Sequence, residues 1–420
     1  MQDERLRFVQ EVLTREDAMA AVCRRFGVSR KTGYKWLDRY AQQGVAGLAD
    51  QSKAPKRQAQ AFPAEIEREI LALRARCPTW GEDKLKARLE RTNPDINWPA
   101  HSTIGALLKR HGLTHPGKRR RHATPSSKLT SAKAPNQVWA IDFKGWFDTG
   151  DGKRCDPLTI SDTASRYLLR CQRVARSDTA HVRPLMEATF REYGLPTRIL
   201  SDNGPPFAST GLAGLSRLSV WWIRLGIQLQ RIDPGHPEQN GRHERMHRTL
   251  KAETAMPPER NLRAQQRAFD RFRQIYNQER PHESLAMATP ASVYQPSWRP
   301  YPERLPELEY PDRMLPRRVQ SKGDIGLLGR QLFLSETLAG ETVGLEEHEH
   351  GWAVWFGPLE LDWLERSLFE GPRPGRGEHR LRRKRSGGAS SARPTGSLPR
   401  RPPSVSGKGF VQRTFSWFNP

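Results

Sequence analysis

The chain has 420 residues, 70 of them Lys or Arg and 46 Asp or Glu, a balance of +24. A charge that large repels itself unless a polyanion offsets it, so nucleic acid is the first partner to consider. No apolar run approaches the roughly 18 residues of a membrane span. Cys23, Cys77, Cys155 and Cys171 form no C-x-x-C pair, which argues against a disulfide framework or a cysteine zinc finger. The opening Met1-Gln-Asp-Glu-Arg lacks a basic segment followed by an apolar one, so secretion is not expected and a cytoplasmic location is.

The first elements are helical. Asp17 to Tyr40, within an expected domain at 1–60, fits a helix-turn-helix: Val22, Cys23 and Phe26 form one apolar face, Gly27 the turn, Val28 and Trp36 the facing side. Ser29 is an expected N-cap, which puts Arg30, Lys31 and Thr32 on the first turn of a recognition helix, with Lys35 and Arg39 continuing its positive surface. An ordinary helical hairpin would share this pattern. Residues 61–114 repeat the idea with Ile66, Ile70, Leu73, Leu85 and Leu89. There Ser102 is expected to cap a helix with Ile104, Leu107 and Leu108 inside and Lys109 and Arg110 outside. That suggests a second, winged-helix-like DNA-binding module.

Residues 115–135 read as an extended basic linker carrying Arg119, Arg120 and Arg121. From 136 to 295, apolar runs alternate with helical stretches, as in an α/β or α+β domain. Val138-Trp-Ala-Ile-Asp-Phe143 is a strand with an acid among apolar residues, and a lone buried carboxylate is costly unless paired or bound to metal. Taken alone, Asp142 could equally face solvent. Pro157–Ser161 and Tyr167–Cys171 continue as a meander, and Thr179–Tyr193 as a helix. Thr197 to Phe207 is a strand ending in Asp202 and an Asn-Gly-Pro loop, the strand end where α/β sheets place ligand chemistry. Gly235-His-Pro-Glu-Gln-Asn-Gly-Arg-His-Glu-Arg-Met-His247 then opens a helix that carries Glu244. Short apolar runs at 300–370 (Val319, Ile325, Leu327, Leu332–Leu334, Val343–Leu345, Trp352–Phe356) suggest a small all-β barrel. The tail, 371–420, carries 12 basic residues against Glu378 and is expected to be disordered.

The trio Asp142, Asp202 and Glu244, in W-A-I-D-F, S-D-N-G-P-P-F and H-P-E-Q-N-G-R-H-E-R, resembles the DDE core of retroviral integrases and bacterial insertion-sequence transposases. Tyr276-Asn-Gln-Glu-Arg-Pro-His282 followed by Ala288-Thr-Pro290 resembles the end of that core. Two departures stand out. The stretch between Asp202 and Glu244 is longer than in the retroviral branch, with the enlargement placed at Gly211 to Gly226, and the N-terminus has no His/Cys zinc module. The resemblance implies an RNase H-like, mixed five-stranded sheet flanked by helices. It also implies two Mg²⁺ or Mn²⁺ ions on Asp142, Asp202 and Glu244, and cleavage and joining of DNA ends by a homo-oligomer of at least two chains. Asn203, Arg242, Arg248 and Lys251, beside these acids, are further candidate contacts to double-stranded DNA, both element ends and target.

Two other readings stay open on the residues. His243-Glu-Arg-Met-His247 is a literal H-E-x-x-H, whose histidines share a helix face as in zinc proteases, although no third ligand is evident. On the integrase reading the two histidines are expected to flank DNA phosphate or to be solvated. The second alternative is a DNA-binding regulator with an inactive core. A rival for the third acid is Glu238, in the loop before the helix is established.

Overall fold

A computed structural model describes residues 2–50, 63–114, 132–233 and 236–370. These fall into two compact units that part at residue 64. The linker arginines Arg119, Arg120 and Arg121 and the tail 371–420 lie outside the described residues.

The first unit holds α1 (Gln2–Leu13), α2 (Met19–Arg25) and α3 (Arg30–Gln43). Phe8, Val9, Val22, Cys23 and Leu48 are its core. Phe8 meets Phe26 and Trp36 edge-on at 5.5 and 5.4 Å, an arrangement the ring quadrupoles favour. Between α2 and α3 the chain turns at Gly27, whose φ of +65° lies where side chains are disfavoured. Ser29 caps α3, its Oγ accepting from the Thr32 N–H at 3.2 Å. The Thr32 hydroxyl lies 2.9 Å from Ser29 Oγ and so is engaged in the cap itself. Arg30, Lys31 and Lys35 are exposed, and Arg39 is half-buried.

The second unit opens with α4 (Ala64–Arg76), α5 (Glu82–Thr92) and α6 (His101–Arg110). Its core is Ile70, Leu73, Trp80, Leu85, Leu89, Ile104 and Leu107. The structure corrects one capping assignment. α6 begins at His101 with Ala100 in the cap position and no side-chain cap, so Ser102 lies inside the first turn. The start is set upstream, where buried Trp98 donates from Nε1 to the Asn93 carbonyl at 3.1 Å. Lys109 and Arg110 are exposed in the last turn, where cations also favour the helix dipole. No strand of a wing occurs among the described residues of 63–114. Arg88 and Arg76 bond Glu279 at 3.0 and 3.1 Å, Lys84 pairs with Glu283, and Thr79 bonds Glu253, all tying these helices to the core that follows.

That core contains β1 (Val138–Phe143), β2 (Phe147–Asp148), β3 (Arg154–Asp162), β4 (Leu168–Val174), α7 (Thr179–Tyr193), β5 (Arg198–Ser201), α8 (Arg217–Arg224), β6 (Gln228–Arg231), α9 (Gly241–Thr254) and α10 (Leu262–Gln278). The strands run β4-β3-β1-β5-β6; β4, β3 and β1 are antiparallel, β1, β5 and β6 parallel, and the two-residue β2 pairs antiparallel with the start of β3. Alternation splits the sheet's faces. Trp139, Ile141, Ile160 and Leu169 pack with Met186 and Phe190 of α7 and Trp221 and Trp222 of α8. On the other face, Leu168 and Cys171 meet Met246 and Leu250 of α9 and Phe269, Phe272 and Tyr276 of α10.

Beyond it lie β7 (Met314–Arg318), β8 (Asp324–Leu327), β9 (Arg330–Phe333), β10 (Thr342–His348), β11 (Gly351–Phe356) and β12 (Leu359–Glu365). They form a four-stranded antiparallel sheet, β12-β11-β10-β7, and a β8-β9 hairpin. β12 has no counterpart in the sequence reading, because Leu359-Glu-Leu-Asp-Trp-Leu-Glu365 alternates as a half-exposed strand without an apolar run. Leu215, Val220 and Ile223 share one buried core with Val343, Leu345, Val354 and Phe356. The segment expected to be enlarged, Gly211 to Gly226, therefore supplies the surface on which these strands pack.

Gly33 of α3 is buried, and a Cβ there would lie 2.8 Å from Phe8 Cζ and 2.9 Å from Cys23 Sγ. Gly33→Ala should therefore destabilise the first unit by about 1–3 kcal/mol through overpacking, outweighing the roughly 1 kcal/mol gained in helix propensity. Denaturant unfolding followed by Trp36 fluorescence would read the sign.

Candidate active site

The parallel pairing of β1 with β5 matches Ala140 to Leu200. Asp142 follows two residues after that last pair and Asp202 directly after β5, so both acids lie at the same end of the sheet. Phe143 and Phe207 stack at 5.8 Å and hold the two ends together, and Phe207 stacks in turn on Trp222 at 6.2 Å. After Asp202 the backbone folds back, so that its Oδ1 accepts from the Gly204 N–H at 3.2 Å. A Cβ at Gly204 would lie 3.2 Å from Asp202 Oδ2, which a glycine avoids.

Glu244 arrives on α9, exposed in its first turn. Asn240 occupies that helix's N-cap but makes no side-chain cap; its Nδ2 instead donates to Asp142 Oδ2 at 3.1 Å. The start of the helix is thereby tied to β1. The Asp142 carboxyl is pushed up to about 7, first by burial and then by the charges of Asp202 and Glu244. Asp142 thus feels the charge of both other acids across the end of the sheet. Among the described residues, no Lys, Arg or His is ion-paired with any of them, and no three His, Cys, Asp or Glu side chains close into a ready-made metal cage. The side chain of the rival Glu238 lies outside the described ones. Asp162 offers the contrast: it is fully buried, but accepts from the Asn136 N–H, the Ser165 N–H and the Ser165 hydroxyl at 2.8, 2.7 and 2.6 Å, a structural acid with its lone pairs filled.

His243 and His247 depart from expectation. Neither is solvated or turned to a phosphate: both are buried, with their rings 4.6 Å apart. Both Nε2 atoms lie 2.7 Å from the hydroxyl of Thr159, which itself bonds the Asp142 carbonyl at 3.1 Å. Ser161 Oγ lies 2.9 Å from His243 Nδ1. Apolar packing of α9 against the sheet draws this helix face inward. The two nitrogens that a zinc protease would offer its metal are therefore spent on a threonine, while Glu244 sits on another face of the helix. Thr159 and Asn240 were not legible as site residues, since nothing in sequence links β3 or the loop before α9 to Asp142. The register pair Asp142–Thr159 does so in space.

The remaining candidates are spread out. The Asn203 amide donates to the Ile232 carbonyl at 2.7 Å, bracing the end of β5 against the end of β6. Arg242, Arg248 and Lys251 are exposed along α9. Lys144, just past Asp142, is held below its usual range by burial and by Lys251.

Against this geometry stand the comparisons. An integrase core domain model matches residues 132–237 and a second integrase core domain model matches 225–290, so that together they run over β1, β5 and α9. A helix-turn-helix domain model matches 4–56 and a homeodomain-like domain model 32–108. The chain thus carries matches to an integrase core behind helix-turn-helix domains, and it is similar to proteins of bacterial insertion elements. An insertion element IS407 uncharacterized 31.7 kDa protein from Burkholderia multivorans is 28% identical over 216 residues, 50% of this chain and 74% of that protein. An insertion element IS476 uncharacterized 39.2 kDa protein from Xanthomonas euvesicatoria is 30% identical over 223 residues, 50% of this chain and 59% of that protein. The Gag-Pol polyprotein of baboon endogenous virus is 31% identical over 194 residues, 44% of this chain and 10% of the polyprotein. Among solved structures, a simian T-cell lymphotropic virus intasome in complex with PP2A regulatory subunit B56 gamma aligns over 67% of this chain and 98% of that one, at 16% identity and a TM-score of 0.35. The HTLV-2 integrase catalytic core domain in complex with magnesium aligns over 38% of this chain and 97% of that one, at 16% identity and a TM-score of 0.30.

Burial pushes the imidazoles of His243 and His247 down to about 3 and about 2, from 6.5. They are neutral when folded but protonate near 6.5 when unfolded. Their contribution is complete above pH 6.5 and is lost as pH falls from there towards their folded values. Unfolding free energy should fall by up to about 1.4 kcal/mol per pH unit per histidine between pH 6 and 4. His247→Gln should remove one proton from that slope, measured by denaturant titration across pH.

Proposed function

We propose that this chain cleaves DNA at the ends of a mobile element and joins the freed 3′ ends to target DNA, with Asp142, Asp202 and Glu244 as its catalytic acids. The observation that supports this reading is the shared sheet end of Asp142 and Asp202, after β1 and β5, with Glu244 on α9 within electrostatic reach of Asp142.

The donor set suits a hard divalent cation: three carboxylates, one pushed up by burial and then by its neighbours' charge, and no cationic side chain ion-paired with them among the described residues. Asp142, Asp202 and Glu244 would hold it, with remaining positions left to water and phosphate oxygens. Two Mg²⁺ or Mn²⁺ ions bound there would activate the attacking oxygen and stabilise the departing one. In the first step water attacks the phosphorus and the P–O3′ bond breaks, leaving a 3′-hydroxyl. In the second, that hydroxyl attacks a target phosphodiester and a target 3′ oxygen leaves. Within the chain, Asn240 fixes the orientation of the Asp142 carboxylate, and the Thr159–histidine cluster fixes the roll of α9. The exposed Arg30 and Lys31 on α3 support a role for the first unit in recognising element ends. A pair of such ends calls for at least two chains.

Asp142→Asn, Asp202→Asn and Glu244→Gln should each reduce Mg²⁺-dependent end cleavage and strand transfer to background in gel assays on labelled element ends, with end binding retained. Each should also abolish the rise in melting temperature that Mn²⁺ produces in the parent protein. Full strand transfer by Glu244→Gln would refute the assignment.

In the first unit, Arg30→Ala with Lys31→Ala should weaken binding to element ends more than to random duplex, at about 1–3 kcal/mol for each lost base contact. Equal losses on both DNAs, by fluorescence anisotropy, would mean that these residues touch phosphate alone.

A further inference from the structure

On the other flank of α9 lies a cleft of about 470 Å³ between α5, the β3–β4 turn, α9 and the end of α10. At 100° per residue, Arg242, Arg245 and Thr249 share that flank, while Glu244 and Lys251 share the opposite one. The cleft's charge is lopsided. Its one acidic lining residue, Glu283, is paired with Lys84, and Arg280 is paired with Glu253 behind it. Arg242, Arg245 and Arg248 make no ion pair among the described residues.

Arg166 closes the cleft from the β3–β4 turn, in the left-handed region at φ +66°. Its Nη1 donates to the Thr163 carbonyl at 2.7 Å and its Nε to Ser284 Oγ at 3.2 Å, which leaves Nη2 with no bond to another described residue. Burial and the charges of Arg242 and Arg245 hold this guanidinium below its ordinary range. His282 also lines the cleft, with Nε2 buried and without a hydrogen-bond partner among the described residues. Crowding this many guanidiniums into one cleft is unfavourable unless an anion offsets them. Arginine forks match phosphate oxygens.

We propose that this cleft is a second phosphodiester grip, which holds the sugar-phosphate backbone of duplex DNA on the flank of α9 away from Glu244, where the helices at 64–113 meet the core. A strand seated there would run beside the carboxylates with one helix between them, so the grip sets the angle at which DNA crosses the active site. The inference rests on the DNA-joining reading above for its partner, but its test requires no catalysis.

The full-length protein, in EDTA, would be titrated against a fluorescein-labelled duplex from 50 to 200 mM NaCl. Arg242→Gln with Arg245→Gln changes two exposed side chains and should flatten the slope of log affinity against log salt by about 2, one per lost phosphate contact. Arg166→Gln, tested separately with its melting temperature as a check on folding, should flatten it by about 1. An unchanged slope in the Arg242/Arg245 variant overturns the proposal. So does an unchanged slope joined to a rise in melting temperature with inorganic phosphate, which would assign the cleft to a small anion. If the parent binds DNA but joins none, the slope still decides the cleft, and only the catalytic reading fails.

Discussion

Three elements meet at the hydroxyl of Thr159. A threonine hydroxyl has one proton to give and two lone pairs to fill. Here the proton goes to the Asp142 carbonyl, so His243 and His247 must each donate from Nε2, and Ser161 then supplies a donor for His243 Nδ1. Counting bonds, rather than seeing hydrogens, sets these tautomers. Because the cluster is buried, any roll of α9 would strand several polar groups at once, at about 1–3 kcal/mol each. The direction of Glu244 relative to Asp142 follows from that accounting.

The electrostatics of the second unit are organised around the same helix. Its inner face is neutral by burial, one flank carries the acid that acts on Asp142, and the other carries unpaired arginines. A chain of net charge +24 places three uncompensated carboxylates at the end of its sheet, within a positive surround. Polyanionic DNA and a divalent cation make opposite demands, and on the proposed function the two flanks of one helix would meet both.

Around this centre the second unit is knitted more tightly than a string of modules would be. Glu279, at the end of α10, receives Arg76 and Arg88 from the preceding helices, and α8 contributes one face to the sheet's core and another to the C-terminal strands. The arginines outnumber the acid they share, and the surplus continues into the basic cleft.

Short-range chemistry made much of this legible in advance. Gly27 and Ser29 marked a helix-turn-helix, the apolar runs marked β1, β3, β4 and β5, and the acid at a strand end before Asn-Gly-Pro marked Asp202. Each depends on residues within a few positions of one another, where periodicity and turn chemistry act directly. The start of α6 escaped that logic, because buried Trp98 sets it from outside the helix. β12 escaped it because a half-exposed strand has no apolar run to reveal it. The roles of Thr159, Asn240 and Arg166 escaped it entirely. Each depends on a partner between 84 and 118 residues away, through bonds to His243, Asp142 or Ser284, and such pairings exist only once register and helix packing have been chosen. Sequence alone named the candidates for the chemistry; the tertiary structure decided that the histidines belong to the scaffold, because burying the inner face of α9 leaves a neutral ring bonded to a hydroxyl as the satisfied arrangement.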